Sequence, residues 1–268
     1  MRSRFATLKA SLWMPVVVTV FVVLLTDAGA GAAQAQGGGF DPRDLSGIYV
    51  RTGGDPGFGP VDSMPPLTAA GEAKLRSVIL PGPSRHPLAR EASNAAPSND
   101  ASLSCNPKGL PRLLLESSHQ ELITLPNRIV QVWNQERRPR EIWIDGRDVP
   151  SPDDINDLGL TWYGHGVGVW EGNTLVVNTV GIDDRAWLDS FGFPRGYDAR
   201  VEERYERVDA NTMQVTVTLY DEEMYTSPWV SDVKTFTKET RQNVTRRGWY
   251  GLLGGVPQEI CFPTAPSR

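Results

Sequence analysis

TWYGHGVGVWEGNTLVVNTVGIDDRAW, residues 161–187, decides how the rest of the chain is read. Two runs with strand character, 167–171 and 174–180, flank Gly172-Asn173, a pair that tolerates the positive φ of a tight hairpin turn. The stretch also holds Trp162, Trp170 and Trp187, one of only three histidines, and the acidic pair Asp183-Asp184. Outward from it the β pattern recurs. Residues 121–125, 128–135 and 140–145 read as strands separated by Pro-Asn and Arg-Pro breaks, and 200–208 and 212–220 flank Asp209-Ala210-Asn211 as a second hairpin. Met213, Val215, Val217 and Leu219 alternate with polar neighbours, the period of two that gives a strand one dry and one wet face. Residues 44–50 and 233–239 supply a first and a last strand.

This gives about eight or nine strands, one short helix over 68–78 with Thr68 as its N-cap, and a long N-terminal loop region, 53–118. Strands do not alternate with long helices, which disfavours a doubly wound α/β sheet. The expected class is all-β: an antiparallel up-and-down barrel, lipocalin-like, because closure removes exposed sheet edges. A two-sheet sandwich is the alternative.

The N-terminus reads as a signal peptide. Arg2, Arg4 and Lys9 precede a mostly apolar run, 12–25, and Ala33-Gln34-Ala35 ends in the small-x-small pattern of a cleavage site. The apolar run is shorter than a membrane-spanning helix needs, so no membrane span is expected after cleavage. The expected organisation is a signal peptide over 1–35 and a single barrel domain over 36–268, exported to the periplasm or secreted. Cleavage takes the net charge from −5 to −7, with no basic excess for nucleic acid. In an oxidising compartment Cys105 and Cys261, the two cysteines, read as a disulfide that ties the C-terminus to an early segment.

Several polar groups invite chemistry, each with a plainer reading beside it. His165, between two glycines, is a candidate general acid or base, or a turn histidine bonded to a backbone carbonyl. Asp183 follows a strand end and is its candidate partner across the hairpin, or a turn cap. Trp143, Trp162, Tyr163 and Trp187 line an apolar pocket or fill a core. Arg147 binds a carboxylate or closes the Asp145-Gly146-Arg147 turn. Glu203 shares a strand face with Val201, Tyr205 and Arg207; buried, it needs a partner, and on the surface it joins cross-strand ion pairs. Residues 137–140 read as a solvated hairpin tip. The acidic run 153–157 lacks the spacing of a calcium loop, and the three histidines give no zinc motif, so no metal site is expected.

The chain resembles an uncharacterised family of exported bacterial β-rich proteins. The likeness rests on Asp44-Leu45-Ser46-Gly47, the run from Cys105 to Arg112, Trp143-Ile144-Asp145-Gly146-Arg147, Gly168-Val169-Trp170-Glu171-Gly172-Asn173-Thr174-Leu175-Val176-Val177, and Glu203-Arg204-Tyr205. It implies export, β-architecture and the hairpin, and no reaction. This chain has Gly172-Asn173 where the family favours Gly-Asp, and Arg195-Gly196 where it favours His-Ser.

The expected function is binding of a small, partly apolar or aromatic molecule in an aromatic-lined cavity, without a cofactor. One alternative is a cofactor-independent hydrolase, lyase or isomerase with His165 and Asp183 as acid/base pair. Another is an interaction module of the cell envelope.

Overall fold

The computed structural model describes residues 40–240, apart from 117, 118, 135 and 137. The expected signal peptide, 1–35, and Cys261, the expected partner of Cys105, lie outside these residues. No helix among the described residues is long and apolar enough to cross a membrane.

Twelve strands are present among the described residues. β1 (Gly47–Gly53) leads to a small separate pair, β2 (Ile79–Leu80) and β3 (Arg90–Glu91). Then come β4 (His119–Thr124), β5 (Arg128–Trp133), β6 (Arg140–Trp143), β7 (His165–Glu171), β8 (Thr174–Val180), β9 (Arg200–Arg207) and β10 (Thr212–Tyr220). β11 (Trp229–Val230) lies along β10, and β12 (Lys234–Lys238) is last. Nine of these close a barrel in the order β1-β4-β5-β6-β7-β8-β9-β10-β12, with β12 pairing back onto β1. Each barrel strand lies beside its successor in the ring, as expected of a meander.

One junction departs from the expected antiparallel pattern: β6 and β7 are parallel. A closed ring with an odd number of strands cannot alternate direction throughout, so nine strands require at least one parallel junction. Parallel neighbours need a crossover rather than a tight turn. Residues 144–164 provide it and carry α3 (Pro152–Leu158).

α1 (Ala69–Arg76) forms where expected, with Thr68 Oγ1 accepting from the Gly71 N–H at 3.0 Å. Two helices were not expected from the sequence, α2 (Arg112–Leu115) and α3. α3 takes up the acidic run. Ser151 Oγ accepts from the Asp154 N–H, Asp154 accepts from the Ser151 N–H in return, and Pro152 occupies the first turn. That is a capping box, and its acids face the positive helix end. Residues 53–118 are also more than a surface loop, because Leu110, Leu113, Leu114 and Leu115 are buried in the core.

At the central hairpin Gly172 has φ +62° and Asn173 is not in the left-handed region. Glycine at the first of two central positions fits a type II′ turn, whose twist matches the flanking strands.

Alternation sets the inward faces. Met213, Val215, Val217 and Leu219 of β10 point in, opposite Arg207, Tyr205, Glu203 and Val201 of β9. Trp133, Tyr49, Tyr205, Met213 and Phe236 are at most 1% exposed and fill the interior. Among them runs a polar layer centred on Arg140, which is 2% exposed and not part of a solvated tip. Its guanidinium donates twice to Glu203, at 2.8 Å each, and also to Gln131 and Thr179. The Tyr205 hydroxyl donates to the same carboxylate at 2.6 Å. Gly166 makes room: a Cβ there would stand 3.4 Å from Arg140 Nη2.

Candidate functional site

The barrel interior is packed, so the notable hollow lies elsewhere. A groove of about 590 Å³ runs over the outer face of the parallel β6–β7 pair, bounded by the α3 crossover and the turn after β8. Glu141, Trp143, His165 and Val167 face it because they alternate with inward Arg140, Ile142, Gly166 and Gly168. Six of the eight residues nominated from sequence line it: Trp143, Arg147, Trp162, Tyr163, His165 and Asp183. The other two do not. Trp187 is 9% exposed and packs in the core, and Glu203 is fully buried inside the barrel with Arg140.

The crossover is tied down at both ends. Gly159 ends α3 at φ +78°, and its carbonyl lies 3.0 Å from His165 Nε2. Gly181 (φ +66°) lets these elements close up, since a Cβ there would meet Ile155 Cδ1 at 2.7 Å and His165 Cδ2 at 2.9 Å. Thr161 donates its N–H to the Gly181 carbonyl at 2.9 Å and accepts from the Asp183 N–H at 2.8 Å. These bonds hold Trp162 and Tyr163 beside the turn after β8.

Two side-chain clusters on the groove share one design. Arg147 Nε and Nη2 donate to the two oxygens of Asp145 at 2.9 and 2.7 Å, and the guanidinium carbon sits 3.8 Å from the Trp143 ring centre. Arg185 Nε and Nη2 donate to the two oxygens of Asp183 at 2.9 and 2.6 Å, and its guanidinium carbon sits 4.6 Å from the Trp162 ring centre. Each clasp joins residues two positions apart, Asp-x-Arg, and each lays a flat cation on an indole. The bonds from Arg185 hold the Asp183 carboxyl below the ordinary aspartate range. Asp183 is therefore an ionised clamp, and among the described residues no hydrogen bond joins it to His165.

At the back of the groove, Tyr163 packs against Trp133, ring centres 5.7 Å apart and planes tilted by 37°, and donates its hydroxyl to Glu136 at 3.2 Å. Glu136 also accepts the Lys108 N–H at 2.9 Å. Burial pushes the Glu136 carboxyl above its ordinary value and the Tyr163 phenol well above its own.

Sequence reading missed four residues here. Arg185 had a signal: Asp183-Asp184-Arg185 repeats the spacing of Asp145-Gly146-Arg147. Arg138, read as part of a tip, lies exposed on the groove. Glu136 carries no pattern of its own. Arg195 is fully buried and donates to the carbonyls of Ile182, Asp183, Ala186 and Gly196, organising the turn that presents Asp183. Burial lowers its pKa to about 10. No protein-family model, curated protein or solved structure matches the chain.

Proposed function

We propose that this protein binds a small, partly apolar molecule in the outer groove between β6–β7 and the α3 crossover. The observation that carries this reading is the convergence of Trp143, Trp162 and Tyr163 on one hollow of about 590 Å³. That volume falls within the roughly 300–1,000 Å³ of small-molecule pockets, which are mostly apolar with a few placed polar groups. Leu158, 57% exposed beside the indoles, adds apolar surface that a ligand would cover. The basic start, apolar run and Ala33-Gln34-Ala35 of the N-terminus support binding in the periplasm or outside the cell. An acid/base reaction by His165 and Asp183 draws less support, because Asp183 is held by Arg185 and His165 Nε2 by the Gly159 carbonyl.

The test is a thermal-shift and tryptophan-fluorescence screen of the mature protein against small aromatic and apolar compounds. Trp143→Ala and Trp162→Ala are run beside it. Hits should raise Tm in the wild type and lose that effect in both variants. A screen with no hits, or hits indifferent to both substitutions, overturns the proposal.

A further inference from the structure

We infer that the groove selects a planar aromatic carboxylate, its ring stacked on the clasped guanidinium faces and its carboxylate seated by Arg138. The inference rests on the groove being a binding site and names the class of ligand it takes.

The first half comes from the two clasps. A free arginine side chain samples many rotamers, and holding it flat against a ring has an entropy cost. Here Asp145 and Asp183 each fix the guanidinium through two parallel bonds, so the plane is set before any ligand arrives. One face of each guanidinium lies toward its indole, and the side chains remain 45% and 62% exposed for Arg147 and Arg185. A preset flat cation on an aromatic base extends the stack by one layer, and a flat conjugated ring is the surface that fits it. A nonplanar apolar body gains no such contact.

The second half comes from counting charges. Arg147 is matched by Asp145, Arg185 by Asp183, and Arg140 by Glu203 inside the barrel. Glu141, the remaining acid on the groove wall, is held by Arg128 at 3.0 Å. Glu136 uses its two oxygens on the Lys108 N–H and the Tyr163 hydroxyl. Arg138 is exposed on the groove, forms no ion pair with a described residue, and lies close enough for its charge to act on the Tyr163 phenol. Among the described residues it is the groove-lining arginine without an ion-pair partner, and a guanidinium fork matches a carboxylate with two parallel bonds.

The experiment is isothermal titration calorimetry on the mature protein with three probes: naphthoate, naphthylmethanol (the same plane without the charge) and cyclohexanecarboxylate (the charge without the plane). Naphthoate should bind tighter than either control by on the order of ten-fold. Arg138→Gln should bring naphthoate to the affinity of naphthylmethanol. Arg147→Lys with Arg185→Lys keeps the charge but removes the plane, and should weaken both ring probes while sparing cyclohexanecarboxylate. Unchanged Tm in these exposed-site variants confirms that the fold is intact. Equal binding of naphthoate and naphthylmethanol sinks the carboxylate assignment while leaving groove binding in place. Ring probes indifferent to the lysine variants sink the stacking assignment in the same way. No heat from any probe overturns the proposed binding function as well.

Discussion

Arg140 of β6 and Glu203 of β9 are joined by two hydrogen bonds of 2.8 Å inside the closed barrel, each side chain at most 1% exposed. Two strands, β7 and β8, separate them along the sheet, so the bond spans the interior. Burial alone would lower the pKa of Arg140, and the carboxylate more than offsets it. Removing one partner leaves a buried charge without its counterion. Glu203→Gln should therefore cost about 3–5 kcal/mol in urea unfolding. The double variant Arg140→Met, Glu203→Leu should be less destabilised than the sum of its single variants, because no charge is then left stranded. Additive losses would show that the two residues are not coupled.

The Asp183–Arg185 clasp has a defined pH range. The carboxyl titrates below its ordinary value of 3.8, chiefly through the bonds from Arg185. A lowered acid stabilises the folded state above its unfolded pKa and loses that contribution as pH falls through the folded one. The environment of Trp162 should stay constant from neutral pH down to about 4 and change below it. The difference in fluorescence between wild type and Trp162→Phe, followed from pH 7 to pH 2, reads this directly. A change centred near neutral pH would contradict it.

Glu136 has the opposite sign. Burial raises its carboxyl above the ordinary 4.5, so the folded state holds its proton longer than the unfolded chain. The associated stability is complete below the unfolded value and is lost as pH rises through the folded one. Glu136→Gln keeps an acceptor for the Lys108 N–H and carries no charge. Relative to wild type it should gain stability between mildly acidic and neutral pH. Urea midpoints of both proteins at pH 4 and pH 7.5 check this; parallel pH profiles would refute it.

Gly181 is a packing requirement as well as a conformational one. Gly181→Ala forces a left-handed φ on a residue with a Cβ, costing about 1–2 kcal/mol. It also drives that Cβ into Ile155 and His165. The expected result is a loss of stability above the conformational cost alone, with weaker ligand binding as α3 is pushed from the barrel wall. Gly172→Ala, where a Cβ meets nothing within 4 Å, should show only the conformational part.

Much of the barrel was legible because its signals are local. Thr174–Val180 and Thr212–Tyr220 form strands over the expected bounds, the first set by the Gly172-Asn173 turn and the second by its alternation, and Thr68 caps α1 because a short side chain and the next turn decide that alone. α3 was legible in principle, through Ser151-Pro152-Asp153-Asp154, but its acids were weighed only as calcium ligands. Of the six nominated residues that line the groove, Trp162, Tyr163, His165 and Asp183 flank one end of the β7–β8 hairpin, whereas Trp143 and Arg147 come from β6 and the crossover after it. What sequence could not supply depends on contacts far apart in the chain. The face of β9 turned inward is decided by Arg140, 63 residues away, which can be buried only where Glu203 meets it. The parallel β6–β7 junction follows from closing nine strands, a property of the ring and not of any segment. Arg147 and Arg185 become matching elements of one groove only when the crossover folds back onto the turn after β8. Local periodicity and capping determined the elements; ring closure and the pairing of buried charges decided where the groove lies and which residues face it.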